Sequence, residues 1–220
     1  MSFAALGEQH GPSIMVKIWG RGNSNNVKKV LWCAEEASVA YERLDAGGNY
    51  GVVDTDTFGA MNPNRRVPVL EDGALILWES NTIVRYLAAK YAPDTLYRID
   101  PAARALADRW MDWSSVSFAP SFVTVFRNFM RVSPDQRDLS AMATAATEAG
   151  RTLRIADAAL RECPFLSGTE FGMGDIPLGC LIHAWFNLPI SRPELENLTR
   201  WYKRLLMRPS YRKTVAVMLS

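Results

Sequence analysis

The sequence predicts an α+β domain of βαβ-ββα type over residues 15–92, a linker over 93–99, and an all-α bundle over 100–220. Three observations carry this. Strand-length apolar runs end at Trp78, and every later pattern is helical. Asp72-Gly73 separates two of the runs as a hairpin turn. Ile176 to Leu188 is apolar almost all round, as a helix buried on every side must be.

Residues 1–14 carry no period, include the breaker Gly11-Pro12, and read as a flexible extension that contains His10. Met15 to Trp19 is a short apolar strand. Asn26 to Ser38 is a helix, with Val27, Val30, Leu31 and Ala34 at i, i+3, i+4 and i+7 and with Lys28, Lys29, Glu35 and Glu36 largely on the other side. Val39 to Leu44 is a second strand. Asp45 to Gly59 has no sustained period and reads as loop with room for a short helix. Val67 to Glu71 and Leu75 to Trp78 form the hairpin, and Ser80 to Tyr91 is a helix with Ile83, Val84, Leu87 and Ala88 inward, ended by Pro93. One βαβ and one ββα unit build a small four-stranded mixed sheet with helices packed on it, which is the thioredoxin-like arrangement.

In the second part, Asp100-Pro101 is an N-cap followed by proline at N1. The helix it opens is long and aromatic, and Pro120 inside it predicts a kink there. Further helices run over Leu139 to Glu162, Ile176 to Leu188, Glu194 to Met207 and Ser210 to Met218.

With 48% hydrophobic and 22% charged residues, 220 residues bury a substantial core. A net charge of +2, from 25 basic and 23 acidic residues without any block of like charge, argues against nucleic acid as partner. No apolar run approaches the roughly 20 residues that cross a bilayer, so no membrane is expected and the cytoplasm is. Cys33, Cys163 and Cys180 lack disulfide or metal spacing and read as buried thiols. His183 has no second ligand at i+4 and reads as a hydrogen-bonded core histidine, so no metal is expected.

Three segments can carry chemistry. The Val67-Pro68 bond, if cis, turns the main chain of Val67 outward to pair with an extended peptide; if trans, it is the ordinary start of an edge strand. Glu79-Ser80 opens a helix with Ser80 at the N-cap, a place that binds a ligand carboxylate or simply caps the helix. Gly20 to Asn26 is either a polar loop with an Asn N-cap or a set of neutral donors that stabilises an anion beside the first helix. Together these are more specific than any one.

On those residues, 15–92 resemble the N-terminal domain of soluble glutathione transferases, of the bacterial Ser/Asn type (theta-like or nu-like). The remainder resembles that family's helical C-terminal domain. The resemblance implies that Val67, entering at Pro68, pairs with the cysteinyl main chain of glutathione, that Glu79 and Ser80 bind its γ-glutamyl end, and that Arg66 meets a glycyl carboxylate or a neighbouring charge. Ser24 falls where serine-type members place the thiol-binding hydroxyl, and Asn26 where others place Cys or Asn. Trp110, Trp113 and Phe118 either line an apolar electrophile pocket or pack the core. Implied with this are a detoxifying homodimer, glutathione as co-substrate without a prosthetic group, and a small hydrophobic electrophile as second partner. Glutathione-dependent disulfide reduction and a non-catalytic glutathione-binding scaffold are the alternatives.

Lowering a thiol pKa by about two units corresponds to about 2.7 kcal/mol, which two hydrogen bonds to a charged sulfur supply. No general base is required. Two departures from the family pattern stand out: Asn26 replaces Cys, and Gly172 stands where a Ser or Thr would cap the buried helix opposite Asp175, which predicts a weaker cap with Asp175 still accepting from first-turn amides.

Overall fold

The computed structural model describes residues 15–219, so the expectations for residues 1–14, His10 included, lie outside it. Its sheet has four strands in the order β2-β1-β3-β4. β1 (Val16–Trp19) runs parallel to β2 (Tyr41–Leu44), joined through α1 (Asn25–Glu36), and antiparallel to β3 (Val69–Asp72), with Ile18 opposite Leu70. β4 (Leu75–Trp78) closes the hairpin on β3, and α3 (Ser80–Tyr91) returns across the sheet. The segment read as loop holds α2 (Asp56–Met61), whose first turn is capped by the Thr55 hydroxyl accepting from the Phe58 amide at 3.2 Å. Six residues are too few to show a helical period. Phe58 pins α2 beneath the sheet beside Ala46 and Val69.

α1 has no solvent face over Lys28 and Lys29, against the sequence expectation. Both are buried, because α1 packs on α3 on one side and on α7 (Ile176–Asn187) and α9 (Pro209–Thr214) of the helical domain on the other. Lys28 Nζ donates to the Val215 carbonyl at 3.3 Å, at the C-terminal end of α9, where a cation complements the helix dipole. The far end of α1 is clamped as well. Glu36 accepts from Arg208 Nε at 2.7 Å, Arg208 Nη2 at 2.5 Å, Trp32 Nε1 at 2.9 Å and the Ser210 hydroxyl. Arg85 of α3 adds a second interdomain tie, reaching Asp108 and Asp112 of α4 (Pro101–Trp113) at 2.6 Å each.

α4 opens as expected, with the Asp100 carboxylate accepting from Ala103 N–H at 2.8 Å and Pro101 in the first turn. It does not continue as a single long helix kinked at Pro120. The chain widens into a π-helical stretch over Ser114–Phe118 and resumes as α5 (Ala119–Arg131), with Pro120 in its first turn. A proline in an α-helix lacks its N–H and crowds the carbonyl four residues back; placing it at a helix start, after a wider turn, removes both conflicts. α6 (Leu139–Glu162), α7 and α8 (Glu196–Leu206) complete the bundle, and α9 ends earlier than expected. α7 is the centre, with Ile176, Leu178 and Ile182 fully enclosed.

Asp175, fully buried before α7, does not accept from the first-turn amides. Its carboxylate accepts from the backbone of Leu166 at 2.8 Å and of Ser167 and Gly172 at 3.2 Å, and from Trp201 Nε1 at 2.9 Å. It therefore fastens the 166–172 loop to the bundle. A Cβ at Gly172 would lie 3.0 Å from Ser167 Cβ, so Ser167 fills the space a capping side chain would take. Burial pushes the Asp175 carboxyl up, against the pull of its donors.

Burial raises the Glu36 carboxyl, but Arg208, Ser210 and Trp32 outweigh it and hold the group below its ordinary value of 4.5. A carboxyl depressed on folding contributes stability that is present above its unfolded pKa and lost as pH falls through the folded one. Glu36→Gln is expected to cost about 2 kcal/mol at pH 7 in urea unfolding, a discounted figure for a partly exposed pair. The difference from the native protein should shrink steadily below about pH 4.

Candidate functional site

Gly20 follows directly on β1, at a place where a side chain does not fit. A Cβ at this position would meet Val27 Cγ2 at 2.4 Å and Val67 Cβ at 3.2 Å, so a bare backbone is needed where the strand passes between α1 and the proline loop. The turn beyond it delivers Ser24, rather than an Asn, to the N-cap of α1. Ser24 is extended, its carbonyl accepts from the Lys28 amide at 2.9 Å, and its side chain caps no amide. Amides in the first turn of a helix have no intrahelical acceptor, so this end of α1 presents donors and positive potential together with the Ser24 hydroxyl. Asn26 is the second helical residue and is exposed.

The Val67-Pro68 bond is cis. β3 begins at Val69, later than the expected start at Val67, and Val67 takes part in none of the loop backbone hydrogen bonds among the described residues. The loop ahead of it is set by Asn62, which is 3% exposed: Nδ2 donates to the Arg66 carbonyl at 2.7 Å and Oδ1 accepts from Asn64 N–H at 3.0 Å. Sequence reasoning missed Asn62. Its signal was the Asn-Pro pair that opens the motif, since an Asn side chain bonds its own backbone two residues on.

At the third segment, Glu79 rather than Ser80 is the N-cap of α3, and Ser80 is its first helical residue. Glu79 sits at φ +73° and caps no amide. A side-chain-bearing residue in that region costs about 1–3 kcal/mol and persists where the surroundings fix it, most often at ligand sites. Its carboxylate is left exposed while Ser80 is buried.

These pieces meet in one cleft of about 860 Å³, lined by Ser24, Asn26, Arg66, Glu79 and Ser80 from the first domain and by Ala119, Val123, Phe126, Arg127 and Arg131 from α5. Val67 does not line it with its side chain, and Pro68 is buried behind it. Trp110, Trp113 and Phe118 are not part of it. Phe118 is fully enclosed against Phe122 and Trp185. Trp110 packs edge-on to Trp113 at 5.3 Å, and both border a separate hollow with Arg109 and Ile155. The π-helical turn separates the two registers, so the face of α5 that reaches the cleft is Ala119, Val123 and Phe126, at i, i+4 and i+7.

Among the described residues the lining is rich in basic side chains, Arg21, Lys29, Arg66, Arg85, Arg127 and Arg131, with Glu79 as its one carboxylate; Arg85 is paired with Asp108 and Asp112. Burial, and then the charge of Arg131, lower the Arg21 pKa. Burial lowers that of Lys29, with Cys180 and Glu79 as opposing influences. Among the described residues no cysteine lines the cleft. Cys33 and Cys180 are buried, with burial pushing the Cys180 thiol up to about 12, whereas Cys163, expected to be buried, is half-exposed beyond the end of α6. His183 hydrogen-bonds Tyr202 at 2.9 Å and the Val217 carbonyl at 3.1 Å. Among the described residues no group of His, Cys, Asp and Glu could hold a metal, and no helix is long and apolar enough to cross a membrane.

A thioredoxin-like domain with a cis-proline loop, docked on a helical bundle across such a cleft, is the two-domain architecture of the glutathione transferases. The chain belongs to that family: residues 15–89 match the glutathione S-transferase N-terminal domain and residues 111–209 the C-terminal domain. It is 41% identical to glutathione S-transferase GstB of Escherichia coli over 94% of this chain and 100% of the relative. It is 32% identical to glutathione S-transferase F14 of Arabidopsis thaliana, over 91% of this chain and 80% of that one. Among solved structures, the theta class glutathione S-transferase of Xanthomonas axonopodis pv. citri, crystallised with glutathione bound, superposes with a TM-score of 0.91 at 54% identity, covering 93% of this chain and 99% of that one.

The close approach at Gly20 yields a test of how the site is held. Gly20→Ala should cost about 1–3 kcal/mol in unfolding free energy, the range for overpacking a tight contact, and should displace the Ser24 loop. The second effect would appear as amide chemical-shift changes concentrated at residues 21–27 and 66–67.

Proposed function

We propose that this cleft binds glutathione, stabilises its thiolate, and presents the sulfur to a small electrophile held against α5. The observation that carries the reading is Ser24: an N-cap whose hydroxyl caps nothing, standing at the positive end of α1 in a cleft that also contains the Glu79-Ser80 corner. An uncommitted hydroxyl among helix-terminal amides is what an anionic sulfur requires. The main chain of Val67, without a backbone partner in the loop, supports strand-like pairing with the cysteinyl unit. Arg66, exposed at the rim, suits the glycyl carboxylate.

In the reaction the thiol proton passes to solvent, the sulfur forms a bond to the electrophilic carbon, and the leaving group departs with its electron pair. The protein contributes pKa depression and orientation. Ala119, Val123 and Phe126 give the electrophile an apolar wall, in place of the Trp110, Trp113 and Phe118 pocket, with Arg127 and Arg131 beside it. A cleft lined without cysteine favours conjugation over chemistry through a protein mixed disulfide. A homodimer belongs to the same reading, supported by the exposed Leu75, Ile76 and Trp78 of edge strand β4, an apolar surface that a second copy would cover.

Ser24→Ala and Asn26→Ala should each raise the kinetic thiol pKa by about one unit, the equivalent of one charge-assisted hydrogen bond at about 1.4 kcal/mol. The readout is the pH dependence of kcat/KM with glutathione and an aryl halide. Profiles unchanged in both variants would remove these side chains from the mechanism.

A further inference from the structure

We propose that Lys29 is a glutathione-binding residue, the buried cation that receives the γ-glutamyl α-carboxylate at the N-terminus of α3. The inference rests on the glutathione reading above and assigns one further residue within it.

Lys29 is 5% exposed yet lines the cleft. Among the described residues no carboxylate lies within ion-pair distance of it, and its one hydrogen-bond partner is the Ser80 hydroxyl at 3.4 Å. An ammonium withdrawn from water without a counter-charge is costly. Its neighbour shows how such a group is otherwise accommodated, since Lys28 Nζ faces the carbonyl end of α9. Lys29 instead faces the start of α3, the positive end of a helix, where its charge is least favourable. Both become favourable together once an anion occupies the place where Ser80, the first-turn amides of α3 and Lys29 converge.

The adjoining charge identifies which anion. Glu79, immediately before Ser80, puts a carboxylate in electrostatic reach of Lys29 without pairing with it. One buried cation beside one exposed anion complements an α-amino acid zwitterion, with its carboxylate toward Lys29 and its ammonium toward Glu79. The γ-glutamyl end of glutathione is such a group, whereas the glycyl end carries a carboxylate alone.

The test is a cycle between the side chain and the ligand group. Calorimetry measures binding of glutathione, and of the analogue with 4-aminobutyrate in place of γ-glutamate, which lacks only that carboxylate, to the native protein, Lys29→Met and Lys29→Arg. Lys29→Met should weaken glutathione about 10- to 100-fold and the analogue less than about threefold, with Lys29→Arg recovering most of the glutathione affinity. In turnover the loss should fall on the glutathione KM more than on kcat. Removing an uncompensated buried charge should also raise the Tm of the ligand-free protein. Equal loss for both ligands, no loss for either, or a Lys29→Met protein that melts earlier or fails to fold would overturn the assignment. A native protein that binds neither ligand would refute the glutathione reading itself.

Discussion

The structure depends on the enclosure of α1 between the two domains. A helix that in an isolated βαβ unit would keep one face in water here has the sheet and α3 on one side and α7 and α9 on the other. Its acidic end is locked by Arg208, Ser210 and Trp32 on Glu36, and its amino end is thereby held at the domain boundary. A helix N-terminus binds an anion well only if it does not move when the anion arrives. The ion-pair clamp on Glu36 and the tight crossing at Gly20 supply that rigidity from opposite ends of the same helix.

Rigidity also explains why unfavourable features survive near the cleft. Glu79 is held at positive φ, Lys29 is buried without a counter-ion, and Arg21 is partly withdrawn from water. Each one lowers stability in the ligand-free chain, and each is relieved by negative charge in the cleft. Glutathione brings two carboxylates and, once ionised, a thiolate. The strained Glu79 and the buried Lys29 stand together at one place, while carboxylates such as Glu36 are fully paired elsewhere, and this contrast supports the proposed glutathione site.

Much of the fold was legible in the chain because its signals are local. Asp72-Gly73 fixes the hairpin, Asp100-Pro101 the start of α4, and the unbroken apolar run from Ile176 the central helix. Of the candidate site, Ser24, Asn26, Arg66, Glu79 and Ser80, which the family resemblance singles out, line one cleft. What escaped was set by packing between distant segments. Lys28 and Lys29 fall on a polar stripe by periodicity, and packing of α1 between α3 and the helices of the second domain buries them. Trp110, Trp113 and Phe118 have the composition of an apolar pocket, but the π-helical turn at Ser114–Phe118 shifts the register so that α5 faces the cleft instead. Asn62 works through its own backbone, which a search for charged and nucleophilic groups passes over.

The central claim is that this cleft holds glutathione with its sulfur as an anion. The most direct measurement is the ultraviolet thiolate absorbance of glutathione bound to the native protein, followed as a function of pH. Half-ionisation about two units below the ordinary thiol value of about 8.5 is the predicted result. A bound thiol that ionises at or above that value would contradict the claim.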